Sequence, residues 1–97
     1  MKVLKFVGTS VGSVASVLSL KRIVEKEARR QPIVVVVSAL GGITDKLIST
    51  SLLAKEGNDG WKQSFEEIVS RHHKMIEAII TDPKDREDLF NKVDKLF

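Results

Sequence analysis

The chain has 97 residues, of which 42% are hydrophobic and 30% are charged, and its formal net charge is +3. This length suffices for one small domain, and the composition is that of a globular chain rather than a disordered one. The mild charge and the single tryptophan argue against a nucleic-acid partner. The absence of cysteine excludes disulfides and thiolate metal sites.

The apolar runs are short. None approaches the ~20 residues needed to cross a bilayer, so we expect no membrane-spanning helix. The apolar stretch near the amino terminus has the outline of a signal peptide, but glycine, threonine and serine interrupt it between residues 8 and 13. The sequence therefore predicts a cytoplasmic protein without a membrane partner.

The first third of the chain predicts a strand, a helix and a second strand. Residues 2–7 form a compact apolar run, and residues 13–30 carry apolar side chains along one side of a helix that ends before Pro32. Ile33 to Val37 are five consecutive β-branched residues, which is typical of a central parallel strand covered on both faces. Strand, helix and strand in this order imply a right-handed crossover.

Three further helices are expected after the second strand. The first covers residues 45–55, with Thr44 as its N-cap. Its expected apolar residues include Leu47, Ile48 and Leu52.

Glycines at positions 57 and 60 flank a break, after which apolar residues recur at three- and four-residue spacing over residues 60–80. Asp82 and Pro83 mark the start of the last helix. His72 falls on the apolar side of the long helix, and its neighbour His73 points about 100° away. We therefore expect His72 to be a buried, hydrogen-bonded packing residue rather than a metal ligand.

Two glycine turns follow the two predicted strands. The first carries Gly8, Thr9 and Ser10 just after Lys5, and the second covers residues 38–44. Backbone N–H groups, hydroxyl donors and a lysine without a neighbouring carboxylate suit a phosphate group. Open parallel sheets bind ligands at the carboxyl ends of their strands, and both turns follow such ends. Adjacent parallel strands would bring the two turns side by side.

These two segments carry a resemblance. Residues 5–11 read Lys-Phe-Val-Gly-Thr-Ser-Val and resemble the signature Lys-Phe-Gly-Gly-Thr-Ser-Val of aspartate kinases. Residues 34–45 resemble the second element of that family, the Ser-Ala…Gly-Ile-Thr-Asn/Asp turn. The resemblance is nearest to the kinase portion of the bifunctional aspartate kinase–homoserine dehydrogenases.

The resemblance implies a fold and an activity. The fold would be α/β, the N-terminal part of an amino-acid kinase three-layer α/β/α sandwich. The activity would be transfer of the γ-phosphoryl group of ATP, bound with Mg²⁺, to the side-chain carboxylate of L-aspartate. The product would be 4-phospho-L-aspartate, on the route to lysine, threonine and methionine. Positioning and charge neutralisation, rather than a protein nucleophile, carry this kind of chemistry.

The resemblance also assigns residues. Lys5 would contact the ATP phosphates and stabilise charge during transfer. The residues expected to bind ATP are Lys5, Val7, Gly8, Thr9 and Ser10, and those expected to hold L-aspartate are Ser38 and Thr44. No resident metal site is implied. Read from turn chemistry alone, the hydroxyl residues serve equally well as turn and helix-cap residues.

Val7 departs from the family signature, which has glycine at this position. A β-branched residue disfavours positive φ and adds bulk where a phosphate would approach. Two interpretations follow. Either Val7 extends the strand with its side chain turned away, or it weakens ATP binding.

The signature elements cover only the front of a kinase domain, so we interpret residues 1–97 as a single partial domain. We expect the chain alone to be catalytically inactive. A two-stranded sheet leaves an edge and apolar surface uncovered, which favours a homo-oligomer. The alternative function is a non-catalytic helical interaction module that retains a degenerate phosphate-binding turn.

Overall fold

The computed structural model describes residues 1–97. It is a mixed α/β structure, mostly helical, with one two-stranded parallel sheet. The chain divides into two compact units, Met1–Gly42 and Ile43–Phe97. The first unit holds the sheet and one helix, and the second holds three helices.

The first unit is a strand–helix–strand element. Strand β1 spans Lys2–Phe6, helix α1 spans Val14–Ala28, and strand β2 spans Ile33–Val37. A short 3-10 turn, Gly8–Val11, follows β1. The strands pair in parallel, with Lys2 opposite Ile33 and Phe6 opposite Val37, as the sequence predicted.

Helix α1 begins where a hydroxyl satisfies one of its first free N–H groups. The Ser13 Oγ accepts a hydrogen bond from the Ser16 N–H at 3.1 Å, which is ordinary N-capping. An ion pair of 3.4 Å between Lys2 and Glu27 ties β1 to the last turns of the helix. No residue of α1 is fully buried, so this unit has a thin core.

The expectation that both faces of β2 are covered is wrong for this chain. Val34, Val35, Val36 and Val37 are 38–57% exposed, and successive side chains point to opposite faces. Burial on both faces requires a layer on each side of the sheet, whereas β2 has one neighbouring strand and one crossover helix in its unit. The sheet therefore presents apolar surface on both sides.

The second unit is built from three helices. Helix α2 spans Ile43–Lys55, α3 spans Gly60–Ile79 and α4 spans Pro83–Leu96, close to the ranges predicted from the sequence. Ile68 on α3 is the most deeply buried side chain, with 1% of its surface exposed. A hydrogen bond between the Thr50 and Ser64 hydroxyls joins α2 to α3.

The connection between α3 and α4 satisfies both helix ends. Asp82 accepts hydrogen bonds from the N–H groups of Lys84 and Asp85, at 2.9 and 3.0 Å, so the predicted cap is confirmed. Arg86 reaches back from α4 and donates to the carbonyl oxygens of Ile80 and Glu77. These carbonyls lie at the end of α3, where helical acceptors lack partners within the helix.

Two details of α2 differ from the sequence prediction. The helix begins at Ile43, so Thr44 lies inside its first turn and is not the N-cap. The expected apolar side is exposed, with Leu47 at 45%, Ile48 at 56% and Leu52 at 52%. The buried positions of α2 are Ile43 and Thr50, and the Thr50 hydroxyl bonds to Ser64 on α3.

No helix of the structure is both long enough and apolar enough to cross a membrane.

We predict that Ile68→Ala lowers the free energy of unfolding by about 2–5 kcal/mol, because it leaves a cavity in the core of the second unit. Ile48→Ala is the matched control, since Ile48 is 56% exposed on a helix of the same unit. Its effect is expected within about 0.5 kcal/mol. Urea unfolding followed by Trp61 fluorescence measures both, and equal losses would contradict the assignment of the core.

Candidate functional site

The two glycine turns meet, as the sequence predicted. The Gly41 N–H donates a hydrogen bond of 3.1 Å to the Val11 carbonyl. A Cβ atom on Gly41 would lie 3.1 Å from the Gly12 Cα, which is tighter than an ordinary contact. Glycine at position 41 thus permits the close approach of the two backbones at the carboxyl ends of β1 and β2.

Gly8, rather than the residue before it, takes the left-handed backbone conformation. Its φ is +61°, while Val7 has φ −137° and ψ 162°. The Val7 backbone is extended, a conformation that suits a β-branched residue. The Val7 backbone therefore continues the direction of β1 without strain, so an effect of this residue on ATP binding would come from the bulk of its side chain.

Two backbone N–H groups of the first glycine turn donate hydrogen bonds within the turn. The Ser10 N–H donates to the Val7 carbonyl and the Gly12 N–H donates to the Thr9 carbonyl, each at 3.3 Å. Gly8 and Thr9 open the 3-10 turn, where N–H groups have no acceptor within the turn itself. These two N–H groups are the ones the turn can offer to an anion.

Lys5 and Ser38 flank the turn. The Ser38 N–H donates a hydrogen bond of 3.2 Å to the Phe6 carbonyl, so Ser38 lies next to the end of β1. Its hydroxyl donates to the carbonyl of Ala39 at 2.9 Å, a local turn contact. Lys5 is exposed and opposes Val36 in the sheet. Strand alternation puts its side chain on the face opposite that of Phe6.

A shallow cleft of about 320 Å³ lies on the other side of the turn, against α1. Lys5 does not line it. Ser16 and Ser19 of α1 line this cleft, and neither was predicted from the sequence. Their three-residue spacing after Ser13 is the signal that could have identified them. The lining residues are Phe6, Thr9, Ser10, Ser16, Ser19, Leu20 and Ile23.

Thr44 belongs to the second unit, whereas the other predicted site residues belong to the first. It is exposed in the first turn of α2. Asp45 lies in the same turn, where a carboxylate is favourable to the helix dipole.

The two histidines of α3 have separate structural partners. His72 Nδ1 lies 2.7 Å from the Ile68 carbonyl oxygen, and the His72 ring packs edge-on against Phe97. His73 Nε2 lies 2.6 Å from an Asp94 carboxylate oxygen on α4. His72 is partly buried and hydrogen-bonded, which confirms its packing role.

The pKa of one carboxyl group, that of Glu67, is shifted. Lys46 on α2 donates a hydrogen bond to Glu67 on α3, and this bond, together with the positive charge, holds the pKa of Glu67 below its ordinary value of 4.5. Gln63 adds a weaker hydrogen bond in the same direction. The pair joins two helices of the second unit at its surface.

A lowered folded-state pKa stabilises the folded state above the ordinary pKa of the group, and this contribution is lost as the pH falls through the lowered value. We therefore predict that Glu67→Gln lowers the melting temperature at neutral pH by a small amount. The difference from the unchanged chain should vanish in acid. Thermal unfolding as a function of pH tests this, with Glu66→Gln as the control. A difference in melting temperature that persists at a pH where Glu67 of the unchanged chain is protonated would contradict the linkage.

Comparison with known proteins gives one informative relative. An aspartokinase of Bacillus sp. (strain MGA3) is 47% identical to this chain over 53 residues. The match covers 54% of this chain and 12% of the relative, so the chain spans a small part of the relative's length. No protein-family model matches the chain. Over a short segment, then, the chain is similar to an aspartokinase.

Proposed function

We propose that this chain supplies the phosphate-binding part of an aspartate kinase. The enzyme would transfer the γ-phosphoryl group of ATP to the side-chain carboxylate of L-aspartate. It would work in the cytoplasm, in the biosynthesis of lysine, threonine and methionine. The similarity to an aspartokinase over 53 residues supports the family.

The observation that carries the proposal is the meeting of two glycine turns at the carboxyl ends of two parallel strands. Gly41 contacts Gly12 there, and the N–H groups of Gly8 and Thr9 open the first turn. Ligands of open parallel sheets bind at this end of the strands. An anion at the first turn would meet oriented N–H groups without a neighbouring carboxylate, since residues 8–13 contain no acidic side chain.

Lys5 would supply the positive charge. Its ammonium group sits on a flexible stem at the end of β1, so it can reach a phosphate above the turn from the face opposite the hydroxyl cleft. Thr9 and Ser10 would donate from the other side. In phosphoryl transfer such groups act by positioning the phosphates and neutralising the charge that develops on them.

Mg²⁺ would enter on the ATP phosphates as part of the substrate. Magnesium prefers oxygen ligands and commonly keeps several waters, with few ligands from the protein. The turn offers hydroxyls and no carboxylate, which suits a metal held chiefly by the nucleotide. Ser38 would help to hold L-aspartate. The hydroxyl of Ser38 already has an acceptor in Ala39, so it would rotate to bind substrate.

A second candidate function is a helical interaction module without catalysis. The exposed side of α2 favours it, because Leu47, Ile48 and Leu52 together present apolar surface. In that case the glycine turn would be a structural remnant. A measurement of phosphoryl transfer distinguishes the two candidate functions.

An acyl-phosphate trap tests the kinase proposal. The complete natural gene product is incubated with MgATP, L-aspartate and hydroxylamine, and aspartyl hydroxamate is measured with glutamate as the control acceptor. We predict aspartate-dependent product. Lys5→Met should reduce kcat by about 10²–10³-fold, the usual cost of removing one charge-stabilising donor.

Lys2→Met is the matched control for that variant. Lys2 lies on the same strand but is paired with Glu27, away from the glycine turn. It should keep nearly full activity. Absence of hydroxamate from a folded product would overturn the kinase proposal and favour the interaction module. Equal losses in the two variants would overturn the role proposed for Lys5.

Val7→Gly tests whether the bulk at this position limits ATP binding. We predict that the glycine raises kcat/KM for ATP by up to about tenfold, equivalent to about 1.4 kcal/mol. It should also lower stability by about 0.5–1 kcal/mol, because glycine is freer in the unfolded chain. Val3→Gly, on the same strand and away from the turn, should lose stability alone. Unchanged kinetics in Val7→Gly would show that the valine is tolerated.

A further inference from the structure

The two glycine turns touch where Gly41 packs against the end of the first turn. The Gly41 N–H donates a hydrogen bond of 3.1 Å to the Val11 carbonyl, and a Cβ atom at position 41 would lie 3.1 Å from the Gly12 Cα. The atom that this Cβ would meet belongs to the backbone, which cannot rotate aside as a flexible side chain does. A side chain at position 41 therefore requires the turns to separate by a few tenths of an ångström.

The two glycines of this contact differ in what a methyl group would do. Neither Gly12 nor Gly41 has a positive φ, so neither position requires glycine for a left-handed backbone. A Cβ atom on Gly12 would meet the Thr9 carbonyl oxygen at 3.5 Å, which is an ordinary contact. Alanine thus fits at position 12, whereas alanine at position 41 acts through the separation of the turns.

The contact lies between the groups to which the proposed function assigns the two substrates. The first turn would bind the ATP phosphates through the N–H groups of Gly8 and Thr9, and Ser38 in the second turn would help to hold L-aspartate. The Ser38 N–H donates to the Phe6 carbonyl at 3.2 Å, so the beginning of the second turn is fixed to β1. With this point fixed, a displacement at Gly41 shifts the remainder of the second turn relative to the first.

We propose that Gly41 is a positioning residue for phosphoryl transfer. In this reaction a carboxylate oxygen of aspartate bonds to the γ-phosphorus of ATP, while the bond from that phosphorus to the bridging oxygen breaks and ADP leaves with the electron pair. Gly41, packed against Gly12, sets the separation of the two reacting groups. This role rests on the proposed function.

The rate of such a transfer depends on the alignment of donor and acceptor, and a misplacement of about 1 Å can cost about a hundredfold. A shift of a few tenths of an ångström is correspondingly less costly. Each turn keeps its own hydrogen-bond donors when the turns separate. The change should therefore fall on kcat, and the affinity for each substrate should stay the same.

Steady-state kinetics of the complete natural gene product tests this role. Gly41→Ala should lower kcat for aspartyl hydroxamate formation by about three- to tenfold, with each KM changed by less than about twofold. Gly12→Ala is the matched control, because it adds the same methyl group to the same contact without crowding, and it should keep nearly full kcat. Partial unfolding also lowers kcat at constant KM, so kcat is expressed per folded molecule, with the folded fraction taken from thermal unfolding.

Hydrogen exchange gives a second readout that needs no catalysis. The amide of residue 41 bonds to the Val11 carbonyl, and crowding against Gly12 should lengthen this bond. The protection factor of that amide should fall by about threefold or more in Gly41→Ala and stay constant in Gly12→Ala. Mass spectrometry of peptides that cover residues 38–44 of the complete protein measures it.

Several outcomes would overturn the role of Gly41 while the kinase proposal stands. They are hydroxamate formation at unchanged kcat in Gly41→Ala, a loss that lies in KM, equal losses in the two alanine variants, or unchanged protection of residue 41. Absence of hydroxamate from the unchanged protein would instead overturn the kinase proposal, and the role of Gly41 with it.

Discussion

The parallel pairing of β1 and β2 is the constraint on which the candidate site depends. Parallel strands need a crossover between them, and α1 supplies it. Because of this crossover, the carboxyl ends of both strands lie at the same end of the sheet, and the turns that follow them meet there. Gly41 and Gly12 allow that meeting at backbone contact distance, because a side chain at position 41 would crowd its neighbour.

Stability and chemistry are distributed unequally along the chain. The three-helix unit holds the deepest buried side chain, Ile68, together with paired hydroxyls and capped helix ends. The strand–helix–strand unit has one fully buried residue, Val11, and carries most of the residues suited to bind a phosphate. A thin core next to a polar turn leaves apolar strand surface exposed.

The glycine turn also separates two kinds of donor. The hydroxyls of Thr9 and Ser10 line a cleft against α1, whereas strand alternation puts Lys5 on the other face of the sheet. A phosphate group above the turn would be contacted from both sides. This arrangement suits charge neutralisation around a transferred group better than binding in an enclosed pocket.

The sequence by itself determined the elements and their order. Five β-branched residues predicted β2 over the range at which it occurs, and Asp82-Pro83 predicted the start of α4, because both signals act through the local backbone. The expected parallel pairing of the two strands also predicted that the two glycine turns meet. Only the tertiary structure decided which apolar residues are buried. The valines of β2 and the residues Leu47, Ile48 and Leu52 of α2 are exposed, and Thr44 lies inside a helix rather than at its cap. Burial of a side chain depends on which distant elements pack against it. A local apolar pattern shows only that a strand or helix has a surface suited to such packing.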